Sequence, residues 1–308
     1  EGLNLPIANV MTILLIPEIM SCSTKWAPSL PVFSLQGCSS FFTHDEDYEG
    51  PIHGRILDSA FFNSFDKQER AILYHFNNGP KIFSYSTAGL PYPSLTAMNE
   101  LGITVSLHHK FSSNFHITGT PIFEIIFQIL QLCQTKKEVL SYLKNVTSIS
   151  SWGLYISFRD NDILRVDISG DEIDYNVDKV IPKKIFYYNN LPENKNIDLS
   201  NTLPYGMKQY CKLRSKSANK KIKNINKKKT LNQLNLLKFM SVPEYGHNLS
   251  SQSWTLEPIN HCSVGAYTLD AINGRSLSVS GAAPKFFNGD YFEFTNIWQS
   301  PLQKLKKA

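Results

Sequence analysis

The sequence has no apolar run long enough to cross a membrane. Its longest near-continuous apolar stretch extends from Val10 to Ile16 with Thr12 inside it, whereas a spanning helix needs roughly 18 apolar residues or more. No segment rich in proline, glycine and serine divides the chain. The composition of the 308 residues, 42% hydrophobic and 19% charged, excludes a disordered, collagen-like or coiled-coil chain. We therefore expect a globular protein without an integral membrane segment.

Cysteine is also scarce. None of the five cysteines belongs to a C-x-x-C pair, which argues against a disulfide framework and against a structural zinc site. The five are Cys22, Cys38, Cys133, Cys211 and Cys262. The first residue is Glu1 rather than methionine, so we expect a natural N-terminal segment upstream and leave the compartment open.

Acidic residues are absent between Leu199 and Pro243, where basic residues accumulate. This basic segment contains Lys208, Lys212, Arg214, Lys216, Lys220, Lys221, Lys223, Lys227, Lys228, Lys229 and Lys238. Once these eleven charges are subtracted from the net charge of +5, the rest of the chain carries −6. Such a patch can bind nucleic acid or an anionic membrane, but no aromatic residue interrupts its lysine runs. We predict a solvated helix and loop and no nucleic-acid partner.

Turn residues and β-rich runs predict several hairpins. The acidic turn at 44–50 separates the runs Ser39–Thr43 and Ile52–Leu57, a pattern typical of a β-hairpin. Further strand pairs are predicted at 71–76 with 81–85, 154–158 with 163–168 and 264–269 with 276–279. Because hairpins dominate, the sheets should be mainly antiparallel with helices on their outer faces. The predicted fold class is therefore α+β.

Helices are predicted between the strand groups and at the start of the chain. Residues 9–20 form a mostly apolar segment that predicts a helix, and Pro17 is expected to end it. Thr120 is the expected N-cap of a second helix whose first residue is Pro121. Thr135 and Glu138 have capping-box spacing and should start a third helix.

The densest cluster of reactive side chains lies on the first predicted hairpin. Cys38 follows a glycine at the start of one strand, and Arg55 and Asp58 lie on the facing strand. An arginine favours the thiolate form of a nearby cysteine, and an aspartate can orient a neighbouring amine. On spacing alone, however, a buried cysteine beside a surface ion pair is the commoner arrangement.

Two runs of this hairpin, Gly37–Phe41 and Ile52–Asp58, resemble the G-C-[ST]-S and H-G-R-N-[LM]-D patterns of the penicillin acyltransferase family. This family is related to acid ceramidase, N-acylethanolamine acid amidase and bile-salt hydrolase, and all are N-terminal-nucleophile hydrolases. Other segments resemble the family's motifs in the same order along the chain. They are 97–103, Gly119–Pro121, Tyr188–Asn190 and a closing hairpin with Gly281 and Pro284.

The resemblance implies a four-layer αββα sandwich and a precursor that cleaves itself between Gly37 and Cys38. Residues 1–37 would then be the C-terminal part of a propeptide or small subunit, and residues 38–308 the catalytic domain. The two chains are expected to form an αβ heterodimer. Cleavage gives Cys38 both a thiol and a free α-amine, whose ordinary pKa of about 7.7–8.0 suits a general base.

The same resemblance implies a catalytic set of four residues. Cys38 is the nucleophile and the base, Arg55 supports the thiolate, and Asp58 orients the α-amine. Asn189 offers its side-chain amide to the oxyanion, and a shift of one residue in the match would give that role to Asn190.

Several positions extend the set or depart from the family pattern. His108 stands where bile-salt hydrolases have an asparagine that contacts the reacting carbonyl, and it is either a substitute donor or a strand-end residue. Arg214 is the candidate for an arginine that the relatives carry late in the chain. Ile56 replaces the usual asparagine after the arginine, and Ser59 stands where an aromatic residue is common.

The resemblance implies a self-processing cysteine amidase or acyltransferase that cleaves linear, non-peptide C–N amide bonds through a thioester. Its substrate is expected to be a small-molecule acyl amide, with no metal or cofactor and with acyl-CoA as a conceivable co-substrate. The alternative is an uncleaved, non-catalytic binding protein of the same fold. A papain-like protease using Cys38 with His108 or His109 is less favoured, because it requires a helix where Ser39–Thr43 predicts a strand.

Overall fold

Two antiparallel sheets form the centre of the molecule. The computed structural model describes residues 6–26, 38–58, 69–87, 92–110, 115–191, 205–224, 231–241, 263–280, 290–299 and 306–307. The strands are β1 (Cys38–His44), β2 (Pro51–Asp58), β3 (Glu69–Tyr74), β4 (Ile82–Thr87), β5 (Thr96–Asn99), β6 (Thr104–His109), β7 (Ser151–Ser157), β8 (Asp162–Ser169), β9 (Glu172–Lys179), β10 (Phe186–Asn189), β11 (Ser263–Asp270), β12 (Arg275–Ser280), β13 (Phe292–Phe294) and β14 (Lys306–Lys307). The first sheet has the order β10-β1-β2-β11-β12-β13-β14, and the second has β3 to β9 in chain order.

Helices cover the outer faces of both sheets. The helices are α1 (Ile7–Trp26), α2 (Ile122–Leu132), α3 (Lys136–Leu143), α4 (Tyr205–Asn224) and α5 (Gln233–Ser241). Apolar side chains of α2 and α3 pack with β6, β7 and β8 of the second sheet. Side chains of α5 pack with β1, β2, β11 and β12 of the first sheet. The expected αββα arrangement is therefore confirmed.

The alternation of side chains along β1 and β2 decides what faces the space between the sheets. Phe41 and Ile56 belong to the core under α5, while Cys38 and Phe42 belong to clusters shared with the second sheet. Successive residues of a strand point to opposite faces, so Cys38, Ser40 and Phe42 all face inward. The departure at Ile56 consequently lies on the helix side, away from the thiol of Cys38.

The first helix is longer than predicted, and it contacts α2. It continues past Pro17 to Trp26, so the expected break is wrong. Its second half is held by Glu18, whose carboxylate accepts hydrogen bonds from the Ile122 backbone N–H at 2.6 Å and from Trp152 Nε1 at 3.2 Å. The N-cap of α2 is Pro121 rather than Thr120, and its own side chain makes no capping bond. Glu18, 104 residues away in sequence, accepts from the first N–H of the helix instead.

The third helix begins as predicted. Thr135 accepts a hydrogen bond from the Glu138 backbone N–H, and the Glu138 side chain accepts one from the Thr135 backbone N–H. This reciprocal pair is a capping box and satisfies donors that the first turn of a helix leaves free.

The first part of the basic segment is helix α4. Its residues Lys212, Lys216 and Lys220 are exposed, as a solvated face requires. Arg214 differs from them because its side chain is fully buried. Residues 227–229 and Gly37 lie outside the described residues. Within the described part, no helix is both long and apolar enough to span a membrane.

Candidate active site

Two atoms of Cys38 are held by separate partners. Its Sγ accepts a hydrogen bond from Arg55 Nη2 at 2.8 Å. Its main-chain nitrogen donates to Asn190 Oδ1 at 2.7 Å. Cys38 is a free cysteine, 7% exposed, at the first residue of β1. The thiol and the main-chain nitrogen of Cys38 are therefore held by residues 17 and 152 positions away in the chain.

Arg55 reaches the thiol from the neighbouring strand. In the β1–β2 pair, Arg55 lies opposite Ser40, and both face the space between the sheets, where Arg55 is fully buried. Its other terminal nitrogen, Nη1, donates to the Leu95 carbonyl at 2.7 Å. Two anchored donors fix the plane of the guanidinium.

Burial and charge act in opposite directions on the thiol. Burial raises the pKa of Cys38 above its ordinary value, and the positive charge of Arg55 is the largest effect that lowers it again. Arg214 also lowers the pKa of this thiol, while Asp58 raises it. The expectation that Arg55 supports the thiolate agrees with this direction, although burial has the larger effect.

Asp58 and Arg214 form a buried ion pair on the α4 side of the first sheet. Arg214 Nη2 lies 2.7 Å from Asp58 Oδ2, and both side chains are at 0% exposure. The same nitrogen donates to Ser39 Oγ at 2.7 Å. Ser39 directly follows Cys38, so the pair lies next to that residue. The structure thus brings Arg214 to the site region even though it lies within the basic segment.

Asn189 and Asn190 face opposite sides of the first sheet. Asn189 lies at the end of β10, opposite Ser39 of β1, and its Nδ2 donates to the Cys211 carbonyl at 2.8 Å and to Ser215 Oγ at 2.9 Å. Both acceptors belong to α4, so the amide of Asn189 connects the strand to the helix rather than to Cys38.

Asn190 contacts Cys38 directly. Its Oδ1 accepts from the Cys38 nitrogen, and its Nδ2 donates to the His109 carbonyl at 3.0 Å. Because consecutive side chains alternate, only one of the two asparagines can point to Cys38. The alternative position Asn190 is therefore the one next to Cys38, but its Nδ2, which an oxyanion donor would use, is bonded to the His109 carbonyl.

His108 lies on the second sheet, across from β1. Its Nε2 is 2.8 Å from Ser40 Oγ, and its ring is 4.3 Å from that of Tyr155 between centroids. Its Nδ1 is buried and has no hydrogen-bond partner among the described residues. Burial and the nearby Arg55 hold the pKa of His108 well below its ordinary value, so the ring is neutral at pH 7.

Ser40 is a member of the site that the sequence analysis named only as part of a motif. Besides His108, its hydroxyl contacts Ser106 Oγ at 2.7 Å and His53 Nε2 at 3.5 Å. These side chains form a buried polar group between the sheets. The only signal in the sequence was the serine after G-C-[ST].

No group of three or more His, Cys, Asp or Glu side chains suited to a metal ion occurs in the described part of the chain. The charged groups around Cys38 are two arginines, Arg55 and Arg214, and one carboxylate, Asp58. Such a set can stabilise a thiolate and a developing negative charge.

The next histidine, His109, predicts how stability depends on pH. It packs on Trp152 with 5.3 Å between ring centroids, and burial lowers its pKa to about 4. In the unfolded chain the pKa of a histidine is about 6.5. Between about pH 6.5 and pH 4, residue 109 therefore binds a proton in the unfolded chain but not in the folded one. The contribution of His109 to the free energy of unfolding is therefore fully present above about pH 6.5, and about 3 kcal/mol of it is lost as the pH falls to 4.

We expect His109→Phe to remove this part of the pH dependence, since phenylalanine keeps the ring contact and cannot be protonated. Thermal unfolding followed between pH 8 and pH 4.5 measures the difference. Buried Glu18 and Asp270 have raised pKa values and act in the opposite sense, so variant and wild type are compared at each pH. The exposed His75 provides a control, and His75→Gln should keep the wild-type slope. An unchanged slope in His109→Phe would contradict the prediction.

Comparisons with known proteins agree with this architecture. The sequence matches no protein-family model and no curated protein. The structure is similar to an N-acylethanolamine-hydrolysing acid amidase ortholog from Caenorhabditis elegans, with a TM-score of 0.51, 14% identity and coverage of 76% of this chain and 93% of that chain. It is similar to penicillin V acylase from Agrobacterium tumefaciens, with a TM-score of 0.50, 15% identity and coverage of 88% and 90%.

A third similar structure is a variant of the conjugated bile acid hydrolase from Clostridium perfringens, with a TM-score of 0.54, 10% identity and coverage of 88% of this chain and 97% of that chain. Identities this low establish the fold. The chain has the αββα fold of the N-terminal-nucleophile hydrolases, as the resemblance in its motifs implied.

Proposed function

We propose that this protein is a self-processing cysteine amidase or acyltransferase that acts on linear, non-peptide C–N bonds. The observation that carries the proposal is the double anchoring of Cys38, with Arg55 on its thiol at 2.8 Å and Asn190 on its main-chain nitrogen at 2.7 Å. A structural cysteine does not need an arginine on its thiol, whereas a buried backbone N–H needs an acceptor in any case. The fold shared with the acid amidase, the acylase and the bile acid hydrolase supports the same class.

Self-cleavage would begin with attack of the Cys38 thiol on the Gly37 carbonyl carbon. The Gly37–Cys38 amide breaks, its nitrogen takes up the thiol proton, and the Gly37 acyl group becomes a thioester on Sγ. Water then hydrolyses this thioester, which releases the Gly37 carboxyl group and regenerates the thiol. The mature residue carries a free thiol and a free α-amine.

In turnover, the α-amine takes the thiol proton and the thiolate attacks the substrate carbonyl. The resulting α-ammonium protonates the departing amine as the tetrahedral intermediate collapses to a thioester. Water, or a second amine in the acyltransferase reaction, removes the acyl group. Acyl-CoA would enter as an acyl donor by forming the same thioester.

We assign the site residues from their contacts. Arg55 supports the thiolate. Asn190 orients the α-amine in place of Asp58, because Asn190 Oδ1 accepts from the Cys38 nitrogen while Asp58 is paired with Arg214. The Asp58–Arg214 pair would hold Ser39, the residue after Cys38, through the bond from Arg214 Nη2 on the helix side of the first sheet. His108 has the neutral ring and the unpaired Nδ1 that an oxyanion donor requires, provided that Nδ1 carries the proton while Nε2 accepts from Ser40.

The two chains formed by cleavage would stay together through α1. Glu18 lies in the segment before Cys38, and its carboxylate is bonded to the N-terminus of α2 and to Trp152 in the second sheet. Hydrogen bonds to a buried carboxylate are strong and costly to break. This contact supports an αβ heterodimer.

Intact-mass analysis of purified protein tests the proposal. We expect two masses, and the larger fragment should begin with Cys38. The sample should hydrolyse members of a panel of linear N-acyl amines with different acyl lengths, as measured by release of the amine. A single intact chain that still hydrolyses amides would contradict the α-amine mechanism. An intact and inert chain would favour the non-catalytic binding protein.

A further inference from the structure

A buried lysine lies next to the segment that carries Asn190. Lys110 directly follows β6, and its side chain is 1% exposed. Its Nζ lies 3.1 Å from Asp167 Oδ1, 3.3 Å from Tyr155 Oη and 2.9 Å from the Leu191 carbonyl. The three ammonium protons thus have three acceptors, and no donor is left for a ligand.

The second sheet leaves room for this lysine at a glycine. Gly153 of β7 lies opposite Asp167 of β8. A Cβ atom at Gly153 would lie 2.5 Å from Lys110 Cε and 3.3 Å from Asp167 Oδ1. Any larger residue would therefore displace the end of the lysine side chain.

The contacts of this cluster fall on both sides of Asn190. Lys110 binds the carbonyl of Leu191, and Tyr155 Oη donates to the carbonyl of Asn189 at 2.7 Å. The Asn190 side chain itself donates to the carbonyl of His109, the residue before Lys110. Residues at one end of the second sheet thus hydrogen-bond to three groups: the Asn189 carbonyl, the Asn190 side chain and the Leu191 carbonyl.

The energetics indicate that the cluster specifies geometry. Removing a lysine and an aspartate from water is costly, and an apolar pair of the same size is often as stable or more stable. A buried pair of this kind is better explained by the arrangement that it enforces. Here that arrangement is the position of Asn190 Oδ1, 2.7 Å from the Cys38 nitrogen.

We propose that Lys110 is a positioning residue that, with Tyr155 and Asp167, clamps the Asn189–Leu191 segment and so holds Asn190 Oδ1 on the α-amine of Cys38. This inference rests on the proposed function, because the nitrogen becomes an amine only after self-cleavage. An acceptor at a fixed distance favours the ammonium form over the free amine. The clamp therefore raises the pKa of the α-amine, and with it the pH above which the amine is free to act as the base.

The test uses two variants of the cleaved enzyme. Lys110→Met combined with Asp167→Asn removes one charge of each sign, so the net charge is unchanged. Gly153→Ala keeps every charge; its added methyl group mainly displaces the flexible end of Lys110, 2.5 Å away, and presses less closely on Asp167 at 3.3 Å. In both, we expect the acidic limb of the kcat/KM profile to move to lower pH by about one unit, and kcat to fall by about tenfold.

A purely structural role would lower the melting temperature without moving the acidic limb. Asn190→Ala should shift the limb by itself, and adding the Lys110 and Asp167 changes to it should produce no further shift. The matched control is Lys136→Met with Asp162→Asn, a partly exposed lysine–aspartate pair beside α3, which should leave the limb unchanged.

The outcomes separate this inference from the proposed function. If the wild type is one uncleaved chain, the proposed function fails. If the wild type is cleaved and active, Asn190→Ala moves the limb and Gly153→Ala does not, then the clamp is refuted while the proposed function stands. A fully additive shift in the combined variant would also refute the clamp.

Discussion

Cys38→Ala is expected to leave one intact chain and to lower amide hydrolysis by about 10⁴- to 10⁶-fold, the range found when a nucleophile is removed. The same sulfur atom performs both reactions in the proposed scheme, so both should be lost together. The fold should persist, because the side chain is small and Arg55 keeps the Leu95 carbonyl as an acceptor. Intact mass, circular dichroism and amine release measure the three quantities.

A second buried cysteine provides the control. Cys133 is a free cysteine, 3% exposed, that follows α2 on the outer side of the second sheet. Cys133→Ala removes the same atom from a similarly buried but apolar position and should retain cleavage and turnover. If Cys38→Ala still hydrolysed amides, the nucleophile would be another residue.

Local sequence signals predicted the hairpin that carries Cys38, because β1 and β2 are adjacent in the chain. The turn at 44–50 and the β-rich runs on either side fixed the strands, and the pairing of Ser40 with Arg55 places the arginine near the thiol. The capping box at Thr135 was predictable for the same reason. Each of these features depends on residues fewer than twenty positions apart.

Long-range contacts were not predictable from local patterns. The contact between Glu18 and Ile122 joins residues 104 apart, and the contact between Cys38 and Asn190 joins residues 152 apart. Proline, by its missing N–H, favours a helix end, but the tertiary contact of Glu18 holds the helix beyond Pro17. The role of Lys110 had no sequence signal, because the glycine that accommodates it lies on another strand.

The choice between the two asparagines illustrates this limit. The motif placed an asparagine at the end of β10 but left the register open by one residue. In a strand, a shift of one residue moves a side chain to the other face. Only the packing of β10 against β1 and α4 decides which asparagine faces Cys38.

The two asparagines should therefore respond differently to the same substitution. Asn190→Ala removes the acceptor of the Cys38 nitrogen and should lower kcat by about 10²-fold, the effect of a misaligned reacting group, with a small change in melting temperature. Asn189→Ala removes hydrogen bonds to Cys211 and Ser215 of α4. It should cost about 1–3 kcal/mol of stability and retain most of kcat.

Kinetics and thermal unfolding on the same preparations measure this difference, and each variant serves as the control for the other. Both remove one buried amide from neighbouring positions, so a general effect of the substitution would appear in both. The reverse result, in which Asn189→Ala melts like the wild type and loses kcat, would restore Asn189 as the oxyanion donor implied by the motif. In that case α4 would have to move before catalysis, because its Cys211 carbonyl and Ser215 hydroxyl now occupy the donors of Asn189.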